Sequence, residues 1–146
     1  MRNRSIVKTV ALAALILALF SARPAFAQQR LSDHDVANLM KNLKSDGKHF
    51  QSSFDSALSK SAVRKTTQEK IYKSAAKSFN DQVSAMLSVF QSKHAADTTL
   101  PGVLQTAHQI DDVFLDVQLE GNARSDWLKC KQILTRLAQQ FNMAYS

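Results

Sequence analysis

The chain is poor in the residues that interrupt helices or cross-link distant segments. Among 146 residues it has three glycines, two prolines and one cysteine. Because glycine and proline disfavour helix interiors, their scarcity favours a few long helices over many short strands and turns. The lone Cys130 has no partner for an internal disulfide, so noncovalent packing must hold the fold together.

Several short motifs that carry catalytic or cofactor chemistry are also missing. The sequence has no glycine-rich phosphate loop, no nucleophile elbow and no His-Glu-x-x-His zinc motif. It also lacks the Cys-x-x-Cys-His motif that attaches haem covalently. We therefore predict no catalytic residue and no cofactor, and we expect that the protein is not an enzyme.

The first 27 residues have the layout of a cleaved secretory signal peptide. Its parts are the basic residues Arg2, Arg4 and Lys8, the apolar run Thr9 to Phe20, and the small-residue end Ala25-Phe26-Ala27. The apolar run is well short of the roughly 20 residues that span a bilayer. We expect cleavage after Ala27 and release of residues 28–146 as one domain, either periplasmic or secreted, without a transmembrane span.

The net charge depends on this cleavage. The leader holds four of the 19 basic residues and none of the 12 acidic ones, so its removal lowers the formal net charge from +7 to +3. Nucleic-acid binding normally needs a strong basic face and a recognisable reading motif. We therefore expect no nucleic-acid partner.

Four segments carry apolar or small residues at alternating steps of four and three, which is the pattern of a helix that packs along one stripe. The stripes are Val36, Met40, Leu43, Gly47, Phe50, Phe54 and Ala57; Tyr72, Ala76, Phe79, Val83, Met86 and Phe90; Val103, Ala107, Ile110, Phe114 and Val117; and Trp127, Cys130, Leu134, Leu137, Phe141 and Ala144. Mid-helix glycine costs about 1 kcal/mol relative to alanine, so Gly47 predicts close approach of a neighbouring group, with a hinge as the alternative.

Start and stop signals bound these segments. Ser32 with Asp35, and Thr66 with Glu69, have the spacing of capping boxes for the first two helices. The second helix should end near His94, and the third should begin near Thr99 with Pro101 in its first turn and end at Glu120-Gly121-Asn122. The fourth should start between Asn122 and Ser125.

Four helices with short links predict an all-α fold, an up-down-up-down four-helix bundle. A three-helix core with a detached arm is the alternative. In the bundle, the start of the second helix and the end of the third lie at the same end of the molecule. The third segment has no lysine or arginine and carries an acidic stripe. We therefore expect Asp116 or Glu120 to lie near a basic residue of 60–77, which would offset the unfavourable helix-dipole position of each charge.

The basic cluster at the start of the second helix supplies the candidate partner-contact residues, Lys65, Lys70, Lys73 and Lys77. Such a cluster can bind an anionic envelope surface or an acidic protein. A solvated helix end is the alternative interpretation.

The third segment holds the weak metal candidates His108, Asp112 and Asp116, with Asp111 beside them. Imidazole and carboxylates one turn apart can share a divalent ion, but the pattern lacks the paired histidines of a zinc motif. A solvated helix face is the simpler interpretation, and we assign no metal. Cys130 and Trp127 fall on the fourth stripe, so we expect a buried thiol and a packing anchor.

Three stretches of the mature chain resemble a group of small exported bacterial helical proteins of uncharacterised function. They are Val103 to Asp111, Ala123 to Trp127, and Leu137 to Asn142 with Tyr145. The resemblance implies an exported helical domain and carries over no site residue.

The sequence therefore predicts a non-enzymatic binding or structural module of the cell envelope, with an unknown protein or an envelope surface as its partner. The alternatives are a chaperone-like envelope stress protein and a metal- or cofactor-binding protein. The two predicted contact surfaces are the basic end of the bundle and the acidic face of the third helix.

Overall fold

The computed structural model describes residues 30–145, and these residues form four helices without a strand. The helices are α1 Asp33–Leu58, α2 Thr67–Lys93, α3 Leu100–Asp116 and α4 Ala123–Gln140. The predicted signal peptide and its cleavage site lie outside the described residues. Within residues 30–145, no helix is both long enough and apolar enough to cross a membrane.

Consecutive helices run antiparallel, which confirms the up-down-up-down bundle. At one end of the molecule, Nδ1 of His94 lies 3.0 Å from the Asp33 carboxylate. The Leu31 N–H donates to the Gln140 side chain there at 3.0 Å. At the other end, the Tyr72 hydroxyl donates to Asp116 at 3.4 Å. Helix α1 packs against α2 and α4, α2 packs against α3, and the α3–α4 pair has the sparsest packing.

The predicted stripes form one continuous core, so the three-helix alternative is wrong. Every stripe residue of α1 is buried, and so is every stripe residue of α2 except the half-buried Tyr72. Phe50 lies at the centre of the core, with its ring centroid 4.9 Å from Phe54, 6.3 Å from Phe114 and 4.8 Å from Trp127. Because these rings come from α1, α3 and α4, the core joins helices that are distant in sequence.

The predicted starts of α1 and α2 are confirmed by their caps. The Ser32 hydroxyl accepts from the Asp35 N–H at 3.2 Å, and the Thr66 hydroxyl accepts from the Glu69 N–H at 3.2 Å. In the first cap the Ser32 hydroxyl also donates to the Asp35 carboxylate at 2.7 Å. Each cap satisfies a backbone donor that has no partner inside the helix.

One predicted helix end is wrong, and the fourth predicted stripe runs past the end of its helix. Helix α3 stops at Asp116, four residues before Glu120, because Val117 is extended and its side chain is buried. Helix α4 stops at Gln140, where Asn142 takes a left-handed conformation with φ of 55°. The Met143 N–H then bonds the Ala138 carbonyl at 2.7 Å, which is the pattern of a Schellman cap. Ala144 is therefore exposed and does not continue the α4 stripe.

The close approach predicted at Gly47 is confirmed. A β-carbon at this position would collide with Oδ1 of Asn80 on α2. The Asn80 side chain donates to the Gly47 carbonyl at 3.1 Å and to Gln51 at 2.7 Å. Gly47 therefore makes room for a polar link between α1 and α2, and no hinge is needed to explain it.

Candidate functional site

Four exposed cations lie together where α1 passes into α2. They are Lys60, Arg64, Lys65 and Lys70, which we call the basic end. Within residues 30–145, none of the four forms a salt bridge with an acidic side chain. Because no acidic side chain pairs with them directly, this end of the bundle presents a concentration of positive charge to the solvent.

A single buried carboxylate, Glu69, shapes the basic end. It is only 9% exposed and accepts hydrogen bonds from the Lys65 backbone N–H and, at 3.1 Å, from the Ser59 hydroxyl. Nζ of Lys73 lies 2.7 Å from the same carboxylate. The hydrogen bond from Lys73 and then the one from the Lys65 N–H lower the pKa of Glu69 to about 2. Glu69 therefore remains ionised at neutral pH and ties both sides of the connection together.

The connection takes its sharp turn at Lys65 rather than at a glycine. Lys65 has a φ of 61°, in the left-handed region that most side chains disfavour. The bond from its N–H to Glu69 holds this conformation, and Thr66 then caps α2. The network around Glu69 thus fixes the backbone of the connection at Lys65, from which the exposed cations project.

The predicted partner-contact lysines divide into two kinds. Lys65 and Lys70 are exposed and belong to the basic end. Lys73 is half-buried and serves the network, because it bonds both Glu69 and, at 2.8 Å, the Ser59 hydroxyl. Lys77 lies one turn further along α2 and pairs with Asp81 at 3.1 Å on the open surface. An exposed pair of this kind contributes only about 0–1 kcal/mol, so Lys77 can still exchange Asp81 for another anion.

The acidic residues at and just after the end of α3 lie at the same end of the bundle as the basic end, and Glu120 lies near Lys60, as predicted. Asp116 accepts a hydrogen bond from Tyr72 of α2. Lys60 and Glu120 line one open surface pocket of about 340 Å³. In the described part of the chain, neither Asp116 nor Glu120 lies within salt-bridge distance of a basic residue of 60–77. Glu120 thus lies near Lys60 and moderates the positive field there without forming a direct ion pair.

The predicted metal candidates are not gathered around one point. Among residues 30–145, no group of three His, Cys, Asp or Glu side chains is placed to hold a metal ion. The His108 ring packs on Tyr145 with centroids 5.0 Å apart, Asp116 bonds Tyr72, and Asp112 is exposed.

Asp111, beside these candidates, has a structural task that sequence reasoning missed. Its carboxylate accepts from Nε1 of Trp127 at 2.7 Å, from Nζ of Lys131 at 3.0 Å and from the Tyr145 hydroxyl at 3.4 Å. This one side chain therefore joins α3 to α4 and to the last described residue. The available signal was Trp127, because a buried indole N–H needs an acceptor.

Two grooves flank α4. The α3–α4 groove encloses about 380 Å³, and its lining includes Leu115, Arg124, Leu128 and Lys131. The α1–α4 groove encloses about 620 Å³ and is lined by Asp46, His49, three serines, Asp126 and Lys129. In the second groove Lys129 lies 3.0 Å from Asp126 and lowers its pKa. The charges of Asp126 and Lys129 thus compensate each other, and the groove is a polar surface furrow.

Cys130 and Trp127 are packing residues, as predicted. Cys130 is fully buried, and burial raises the pKa of its thiol to about 12, so the reactive thiolate is not populated at neutral pH. Trp127 is 2% exposed and packs with its ring centroid 4.8 Å from Phe50 and 5.3 Å from Phe79.

No family model matches the chain, and no curated protein or solved structure is similar enough to count as a match. With no relative to indicate a site, the candidate site rests on the structure alone. We choose the basic end because its connection is held by Glu69 and its cations are concentrated in one place.

Proposed function

We propose that this protein is exported and acts, without catalysis, as a binding module that attaches to an anionic surface of the cell envelope through its basic end. The observation that carries the proposal is the group of four exposed cations that have no acidic partner within residues 30–145, in a connection whose turn is held by the buried Glu69. The leader-like layout of residues 1–27 in the sequence supports export.

The expected strength of this attachment is modest. A lysine or arginine near an anionic membrane surface contributes about 1 kcal/mol, so four cations supply about 4 kcal/mol. That free energy corresponds to a dissociation constant of about 1 mM. A single chain would therefore attach weakly and reversibly, which suits a module that exchanges between surface and solution.

An exposed apolar residue favours a lipid surface over an acidic protein. Ile71 follows Lys70 in the first turns of α2 and is 53% exposed. Cations beside an apolar side chain match the boundary between anionic headgroups and acyl chains. A lipid surface would accommodate the cations and Ile71 together, whereas an acidic protein would need an apolar patch beside its acidic residues to cover Ile71.

Vesicle partitioning tests the proposal. The chain from Gln28 is incubated with vesicles that contain anionic lipid or only zwitterionic lipid, and the bound fraction is measured after sedimentation. We expect binding to the anionic vesicles alone, and we expect loss of that binding at 1 M salt, where charges are screened beyond about 3 Å.

Two results would overturn the proposal. One is equal partitioning into anionic and zwitterionic vesicles, because it would assign binding to apolar contact alone. The other is absence of vesicle binding together with salt-sensitive capture of an acidic protein, which would make the basic end a protein-binding site.

A further inference from the structure

A second carboxylate, Asp55, lies beside the Glu69 network and has fewer partners than Glu69. Asp55 is half-buried, and its Oδ1 atom is buried without a hydrogen-bond partner among residues 30–145. Glu69, in contrast, accepts hydrogen bonds from the Lys65 N–H, the Ser59 hydroxyl and Lys73. A buried acceptor without a donor is costly, and the cost is greater when the group is charged. The environment of Asp55 therefore disfavours its ionised form.

Lys73, the cation that acts on Asp55, is committed to other partners. Nζ of Lys73 lies 2.7 Å from the Glu69 carboxylate and donates to the Ser59 hydroxyl at 2.8 Å. The bonds from Lys73 and the Lys65 N–H lower the pKa of Glu69 to about 2, so Glu69 keeps its charge. Two carboxylates thus share one ammonium group. The carboxylate with fewer donors, Asp55, is the one that takes up a proton first.

The place of Asp55 along α1 acts in the same direction. Asp55 lies in the last turn of α1, which ends at Leu58 and contains no basic residue. The carbonyls at a helix C-terminus present partial negative charge, which disfavours a carboxylate there. Burial raises the pKa of Asp55 above its ordinary 3.8; Lys73 opposes this rise, and the charge of Glu69 adds to it. In the described part of the chain, neither α3 nor α4 supplies a charge that shifts Asp55.

We propose that Asp55 is a proton-binding site that regulates the basic end, and that its protonation, at a pH where Glu69 is still ionised, strengthens attachment to an anionic surface. Protonation removes one negative charge from beside the exposed cations, while Glu69 keeps the turn at Lys65 in place. The positive field of the basic end is then offset less. The regulation rests on the proposed function, whereas the uptake of the proton does not.

The effect of Asp55 on stability has the opposite sign to that of Glu69. A carboxyl whose pKa is raised by folding contributes fully to stability below its unfolded value, and this contribution is lost as the pH rises through the folded value. Asparagine has nearly the shape of a protonated aspartate and carries no charge. Asp55→Asn should therefore unfold at a higher urea concentration than wild type at pH 7. The two chains should converge as the pH falls towards 3.8, the ordinary value for Asp55.

Urea unfolding from neutral to acidic pH tests the proton site without any vesicle. The matched control is Asp112→Asn on the exposed surface of α3, which makes the same change in net charge away from the network. The control should follow wild type at every pH. Coincidence of Asp55→Asn with wild type at every pH, or a loss of stability that is the same at every pH, would overturn the proposal.

Sedimentation with anionic vesicles, using the chain from Gln28, tests the regulation. At pH 7 Asp55→Asn should bind about twofold to fivefold more tightly than wild type, as expected for one charge near an anionic surface. Wild type should reach the same affinity in acid, and protonation of histidines cancels because both chains share them. A ratio of affinities that does not change with pH would overturn the regulation. Absence of vesicle binding by every chain would contradict the proposed function, and the urea curves would still decide the proton site.

Discussion

Gly47 and Asn80 are coupled, so that a glycine-to-alanine substitution at position 47 should lower stability instead of raising it. Glycine to alanine inside a helix normally stabilises by about 1 kcal/mol. Here the added β-carbon would collide with the Asn80 side chain oxygen, and Asn80 would have to move. It would then lose its bonds to the Gly47 carbonyl and to Gln51.

The magnitudes follow from these two bonds. Each contributes about 1 kcal/mol net, so their loss costs about 2 kcal/mol. The gain in helix propensity offsets about half of this loss, so Gly47→Ala should lower the free energy of unfolding by about 1 kcal/mol. In an Asn80→Ala background the collision is removed, and Phe79 remains at an ordinary 3.5 Å from the new β-carbon. There Gly47→Ala should raise the free energy of unfolding by about 1 kcal/mol.

Urea unfolding of the four chains in this double-mutant cycle measures the coupling, which we expect to be about 2 kcal/mol. The slopes of the unfolding curves should remain equal, which would show that the substitutions change stability alone. If Gly47→Ala stabilised the protein equally with and without Asn80, the reasoning about close approach would be refuted.

Two further substitutions test the buried Glu69 and the half-buried Asp111. Glu69→Gln should destabilise the fold at pH 7. The pKa of Glu69 is lowered from 4.5 to about 2 in the folded protein. The ionised carboxylate therefore stabilises the fold fully above about pH 4.5, and this contribution disappears as the pH falls towards 2. Urea curves at several pH values should therefore show wild type and Glu69→Gln converging in acid, and a constant difference would contradict the network. Asp111→Ala should cost about 1–3 kcal/mol, because it leaves Trp127 Nε1 without its acceptor. The neighbouring exposed Asp112→Ala should change stability by less than about 0.5 kcal/mol, and equal effects of the two would contradict the assignment.

The helices and their core could be predicted because the signals are local. The two stripes that contain Phe50 and Phe79 each repeat with the period of the helix, and such residues face one side of their helix whatever the topology. Ser32 and Thr66 act on backbone donors three residues away, so their roles are also readable from neighbouring residues.

The candidate site could be predicted only in part, because its chemistry depends on contacts across the fold. Lysine density identified the basic end, but only the structure shows that Lys73 is held by Glu69 while Lys70 is exposed. The end of α3 was missed because burial of Val117 outweighs the glycine signal at Gly121, which lies in the connection instead. The role of Asp111 was missed because its three donors come from α4 and the chain end.

The most direct test of the account compares two variants that each lose two positive charges. Lys65→Gln with Lys70→Gln removes half of the basic end, and Lys41→Gln with Lys48→Gln removes two exposed lysines of α1. At about 1 kcal/mol per cation, the first pair should weaken binding to anionic vesicles about thirtyfold, and the second should change it by less than about threefold. Equal weakening by both pairs would show that net charge alone governs binding, and it would contradict the assignment of the site to the basic end.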